Sequence, residues 1–199
     1  KTVLECGGKN PAVVFNDAEN LDLVAEHIVN GAFWNMGENC SAISRLIVHK
    51  DIKSELLKKI VDRLRDWKTG DPLDPQNHLG ALIDKEHCIK VSRYLCEGAV
   101  IGGKIDGNFV TPTIYETTTD DKKARDEIFG PILSVLEVQT NEEAISIANK
   151  TEYGLSASIF SANARNALRA ARELRAGTVT VNSYGEGDIT TPFGGYKQS

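Results

Sequence analysis

The sequence predicts an α/β fold, a mainly parallel sheet with helices on both faces. Two observations carry this. Strand-like runs alternate with helical stretches in both halves of the chain, and no repeat, low-complexity tract or linker divides them, so residues 1–199 read as one domain. The size is consistent: 199 residues with 41% hydrophobic side chains can bury one sizeable core.

In chain order, LECGG (4–8) is a strand-like run ending in a Gly-Gly turn. Leu21, Val24, Ala25, Ile28 and Ala32 fall at i, i+3, i+4, i+7 and i+11, the buried stripe of a helix over 17–34. RLIVH (45–49) is a short β-branched strand, and Asp51 can cap a helix whose positions Ile52, Leu56, Leu57, Ile60, Val61 and Leu64 repeat with helical period until Gly70 stops it. GDPLDPQNHLG (70–80) is a turn region, followed by a helix over 86–96 and a short strand near Val100. The later half repeats the theme. PILSVLEV (131–138) is a strand, 142–150 a helix, SASIFS (156–161) a strand, 162–175 a helix ended by Gly177, and TVTVN (178–182) a strand.

Charge excludes several classes of partner. The net charge is −5 and the basic residues are scattered, which argues against a nucleic-acid phosphate track or an acidic membrane surface. No uncharged run reaches the roughly 18 apolar residues of a spanning helix, and KTVLECGG lacks the pattern of a signal peptide. A soluble, cytoplasmic chain is expected. It begins with Lys, so a fragment or processed product is expected too. Cys6, Cys40, Cys88 and Cys96 are too few for a disulfide scaffold and have no CxxC spacing for a metal or redox site, which fits a reducing compartment.

Cys40 lies in MGENCSA (36–42), between the first helix and the RLIVH strand. Its neighbours Gly37, Asn39, Ser41 and Ala42 leave room for a substrate, and its own N–H can point at an oxyanion on an attacked carbonyl. Most free cysteines are instead small buried hydrophobes. Glu5, at the mouth of the Gly-Gly turn, can act as a general base if burial raises its pKa towards neutrality, although most glutamates are surface charges. None of His27, His49, His78 or His87 falls in a motif; helix faces and turns account for them, so a thiol protease or amidase lacks its histidine.

Four ordered segments resemble the motifs of the aldehyde dehydrogenase superfamily: LECGGKNP (4–11), NMGENCSAISR (35–45), EIFGPIL (127–133) and TPFGGYKQS (191–199). The resemblance implies that Cys40 attacks an aldehyde to give a thiohemiacetal, that hydride then passes to NAD or NADP, and that Glu5 activates the water that releases a free acid. It implies that Glu127 binds the nicotinamide ribose, that Phe129 packs beside it, and that Trp34 and Phe193 line the aldehyde pocket. The loop SYGEGDITT (183–191) would shape the entrance, where Glu186 and Asp188 suit an amine-bearing aldehyde. GDPLDP, LIDKEH and GDITTPFGGYKQS look most like the branch that oxidises γ-glutamyl-γ-aminobutyraldehyde and related ω-amino or hydroxy aldehydes. A cofactor-free thiol esterase and an inactive catalytic fragment are the alternatives.

Two positions depart from the family pattern. Glu38 stands where Gln is frequent and would hinder a nearby thiolate unless it turns away; Cys6 stands where Leu is frequent and could pair with Cys40. The resemblance further implies that this chain is the catalytic domain, that the dinucleotide-binding domain and the oligomerisation segment lie outside it, and that the full-length parent is a homo-oligomer. Weak cofactor binding by the chain alone, and no dehydrogenase activity, are expected from this.

Overall fold

A strand covered on both faces needs apolar side chains at consecutive positions, and residues 12–15, 46–48 and 132–136 supply most of them. In the computed structural model, which describes residues 2–185 and 187–199, these runs form the middle of one sheet. The elements are β1 (Asn10–Val14), α1 (Leu21–Phe33), β2 (Ile43–His49), α2 (Lys50–Leu64), α3 (Lys85–Ser92), β3 (Ile105–Asp106), β4 (Phe109–Val110), β5 (Thr113–Glu116), α4 (Lys122–Arg125), β6 (Ile132–Val138), α5 (Asn141–Asn149), β7 (Tyr153–Gly154), β8 (Ser156–Phe160), α6 (Ala164–Glu173), β9 (Thr178–Val181) and β10 (Tyr196–Lys197). A 3-10 turn covers Trp34–Gly37.

Six strands pair in the order β5-β6-β2-β1-β8-β9, and every pairing is parallel. Alternate side chains enter two cores. Ala12, Val14, Leu46, Val48 and Val135 pack with α1 and α2 on one face, while Val13, Ile47, Leu136 and Ile159 pack with α4, α5 and α6 on the other. The doubly covered sheet is therefore as the sequence predicts. A third cluster joins α3 to Val110, Tyr115, Ile128 and Ile132.

Local chemistry moves several boundaries. Asn20, in a left-handed conformation, accepts from the Leu23 amide and starts α1 at Leu21, four residues later than the stripe suggests. His49 caps α2, its Nδ1 accepting from the Asp51 amide, and α2 ends at Leu64 rather than running to Gly70. The helix expected over 86–96 stops at Ser92. No strand forms near Val100: Ile101 makes a single bridge to Ile114, and Gly102 and Gly103 follow with φ of 83° and 76°. LECGG is not a strand either. Val3 and Leu4 are 82% and 66% exposed, and the buried strand begins beyond the glycines, at Asn10. Pro11 is tolerated in that central strand because the register shifts between Asn10 and Pro11.

Candidate active site

The Gly-Gly-Lys-Asn stretch (7–10) is where the motifs meet. Gly7 has φ 110°, and a Cβ on it would stand 2.6 Å from Glu127 Oε2. The Gly8 amide donates to Glu127 Oε1 at 2.8 Å, and a Cβ on Gly8 would stand 2.5 Å from the Cys40 carbonyl oxygen. Only glycine allows one turn to touch both the carboxylate of the EIFGP loop and the backbone of the cysteine. Two residues on, Asn10 donates from Nδ2 to the carbonyls of Cys40 and Ala42, each at 2.8 Å.

The cysteine loop departs from helical geometry at once. After Trp34, Asn35 and Met36 take left-handed conformations, and Gly37 follows at φ 69° against the Gly130 carbonyl. Asn35 Nδ2 donates to the Glu38 carbonyl, while Asn39 Oδ1 accepts from both the amide and the hydroxyl of Ser41. Such Asx contacts let a short loop replace helix hydrogen bonds. Between this loop and the EIFGP loop lies a narrow cleft lined by Gly8, Asn39, Ala42, Glu127, Phe129 and Gly130.

Phe129 holds a left-handed φ of 59°, a costly state for a bulky residue. His87 braces it: Nε2 lies 2.6 Å from the Phe129 carbonyl, which can only accept, so Nε2 carries the proton. The two rings meet edge to face at 6.2 Å. The same Nε2 is 3.4 Å from Glu38 Oε1, which also accepts from the Ile83 amide at 3.1 Å. Glu38 thus points towards α3, its carboxylate engaged by Ile83 and His87.

Two cations lie beneath the site. Lys9 is 1% exposed, and its Nζ makes no hydrogen bond among the described residues. Burial, assisted by nearby Arg45 and opposed by Asp126, Glu127 and Asp121, brings its pKa down to about 7. Arg45 is also buried, which lowers its pKa to about 10, but its guanidinium donates to the carbonyls of Lys9, Ile147 and Ala148.

Of the residues singled out from sequence, Cys40, Glu127 and Phe129 are partly buried; Glu127 and Phe129 line the cleft, and Cys40 lies in the chain between Asn39 and Ala42, which line it too. Glu5 is exposed, so this chain's own residues do not supply the burial asked of a general base there. Trp34 is 62% exposed, and Phe193 is exposed as well. The Asp188 carboxylate accepts from the amide and hydroxyl of Thr190 at 2.8 and 2.6 Å, contacts that hold its pKa below the usual range. Glu186 lies outside the described residues. Among the described residues no disulfide joins Cys6 to Cys40.

The histidine reading needs one correction. His27 packs on Phe160, His78 stacks on Trp67 and His49 caps a helix, but His87 reaches from α3 into the wall of the site. Sequence reasoning also passed over Asn10 and Lys9, although both sit inside the quoted LECGGKNP motif, and Ser156, which carried no signal. Among the described residues no group of three or more His, Cys, Asp or Glu converges to hold a metal, and no helix is long and apolar enough to cross a membrane.

The Aldehyde dehydrogenase family profile matches residues 1–199. Aminoacetaldehyde dehydrogenase of Pseudomonas aeruginosa is 56% identical over 207 aligned positions, covering 100% of this chain and 42% of that protein. A crystal structure of γ-glutamyl-γ-aminobutyraldehyde dehydrogenase from Burkholderia cenocepacia superposes with a TM-score of 0.93 at 45% identity, over 97% of this chain and 41% of the other. An indole-3-acetaldehyde dehydrogenase complexed with NAD+ gives 0.94 at 45% identity, over 98% and 42%. The chain thus spans about two fifths of the length of these relatives. Motifs, sheet and relatives agree, and the chain belongs to the aldehyde dehydrogenase family.

Proposed function

We propose that residues 1–199 form the nucleophile-bearing catalytic domain of an NAD(P)-dependent aldehyde dehydrogenase that converts an ω-amino aldehyde to its carboxylic acid. The observation that carries this reading is the Gly7–Gly8 turn, which holds the Glu127 carboxylate on one side and the Cys40 carbonyl on the other. A nucleophile and a ribose-binding carboxylate must share one cleft for this chemistry, and here a single backbone turn joins them.

In this reading the Cys40 thiolate adds to the aldehyde carbon and forms a thiohemiacetal, whose oxyanion is met by the backbone N–H of Cys40. Glu127 and Phe129 would hold the nicotinamide ribose of NAD(P)+, which when bound would accept the hydride lost from the adduct carbon as the thioester forms. Glu5 takes a proton from the water that attacks the thioester, releasing the acid and restoring the thiol. The residues present suit a ribose. The Glu127 carboxylate can accept from hydroxyls, it packs so closely on Gly7 that a Cβ there would stand 2.6 Å from Oε2, and Phe129 lines the same cleft.

The amino-aldehyde class is supported by what two relatives are named for, aminoacetaldehyde and γ-glutamyl-γ-aminobutyraldehyde. The negative Asp188 in the 183–191 loop suits a substrate ammonium group. Trp34 and Phe193 supply apolar surface for the substrate chain. The wholly exposed Ile189 and the exposed Val3 and Leu4 are surface that further protein covers, in keeping with a homo-oligomeric parent. Cysteines that form no disulfide among the described residues fit a cytoplasmic setting.

The test is NADH formation by the full-length enzyme with amino aldehydes and simple aliphatic aldehydes. A preference of tenfold or more for the amino compounds is expected. A flat profile removes the substrate class, and undiminished turnover in Cys40→Ser removes the mechanism. Glu5→Gln should accumulate acyl-enzyme, visible as a mass increase on Cys40.

A further inference from the structure

We propose that Asn10 and Ser156 are positioning residues for the nucleophile loop, holding three consecutive peptide carbonyls, those of Cys40, Ser41 and Ala42, so that the cysteine backbone keeps one orientation in the cleft. Asn10 is 3% exposed. Both hydrogens of its carboxamide are used, one on the Cys40 carbonyl and one on the Ala42 carbonyl, each at 2.8 Å. The carbonyl between them, that of Ser41, accepts from the Ser156 hydroxyl at 3.2 Å. The clamp closes on itself, because Asn10 Oδ1 accepts from the Ser156 amide at 3.0 Å.

The topology makes this clamp rigid. Asn10 opens β1 and Ser156 opens β8, and β1 lies between β2 and β8 in the sheet. The loop leading into β2 is thereby tied to the starts of the two strands beside it. The register shift between Asn10 and Pro11 sits at the clamp, where an irregularity re-aims a side chain. From the other side Gly8 closes on the Cys40 carbonyl, and a Cβ there would also stand 2.9 Å from Asn10 Oδ1.

The residue types are the ones this task selects. A primary amide offers two donors and an acceptor in one plane. Aspartate keeps the shape but, ionised, loses both donors and turns a negative oxygen on two carbonyls. Serine keeps one donor. Neither Asn10 nor Ser156 is placed to touch the substrate, so the expected effect passes entirely through the position of Cys40. A displacement of about 1 Å at a reacting group costs on the order of a hundredfold in rate.

This inference rests on the reading of Cys40 as nucleophile, and the experiment separates the two. In the full-length enzyme, Asn10→Asp is expected to lower kcat about 100-fold and Ser156→Ala about 5-fold, with KM for aldehyde and for NAD+ within about threefold of wild type. The double variant should be little worse than Asn10→Asp alone, because both residues serve one clamp. Hydrogen exchange at the amides of residues 39–42 reads the clamp without catalysis and should quicken at least tenfold in Asn10→Asp. Unchanged exchange and a kcat within threefold of wild type overturn the clamp; so does a loss of kcat that only tracks a loss of folded protein. If Asn10→Asp does not fold, Asn10→Ser and Ser156→Ala carry the test, and wild-type kcat and exchange in both overturn it. Faster exchange together with full turnover in Cys40→Ser would leave the clamp standing and remove the nucleophile.

Discussion

Lys9→Met should stabilise the chain, and the gain should depend on pH. The lysine stem is fully buried, so methionine replaces it with an unbranched apolar side chain that suits the same channel. What disappears is an amine whose pKa falls from 10.5 to about 7 on folding. That difference of about 3.5 units, at about 1.36 kcal/mol each, sets a maximum penalty of about 5 kcal/mol. Between pH 7 and 10.5 the unfolded chain holds the proton and the folded chain has released it. Stability of the wild type therefore rises with pH across this window, and the penalty is complete below it. From pH 7 to pH 9 the advantage of Lys9→Met should shrink by about 2 kcal/mol. Urea unfolding followed by the fluorescence of Trp34 and Trp67 at pH 7, 8 and 9 measures it. Parallel stability lines for the two proteins would show that Lys9 does not titrate in this range and would refute the reasoning.

Other outcomes follow from the same contacts. Gly8→Ala places a Cβ 2.5 Å from a backbone carbonyl, so it should destabilise by about 1–3 kcal/mol and lower turnover of the full-length enzyme about 100-fold, with denaturant titration and NADH formation as the checks. Ile28→Ala, at a fully buried position between α1 and the sheet, should cost about 2–5 kcal/mol without altering KM per folded enzyme. His87→Ala removes the support of the Phe129 carbonyl and should weaken NAD+ binding to the full-length enzyme about tenfold, measured by fluorescence quenching.

Much of the fold was legible because periodicity reports burial directly. The stripe from Leu21 to Ala32 and the apolar runs at 45–49 and 131–138 each appear as the expected element. The failures share a cause: polar side chains, not periodicity, decide where elements begin. Asn20 and His49 cap helices that were placed from other residues, and Asn10 opens a strand just after the Gly-Gly turn, where none was expected. The edge strand β5 went unread because four residues carry little pattern. At the site, motif resemblance located the segments, but spacing could not show that Gly8 and Asn10 contact residues 30 and more positions away. His87 was misjudged for the same reason, since its partner Phe129 is 42 residues distant.

The 183–191 loop is fastened at both ends by parts of the fold that do no chemistry. At its start the Tyr184 ring lies against Gly31 of α1, and beyond its end β10 pairs with β7 while Gly194 packs on Gly177. A span held this way behaves as an exchangeable cassette. Its sequence can be exchanged while the sheet and the helices stay as they are, and on the proposed function that exchange is where a new aldehyde preference would arise.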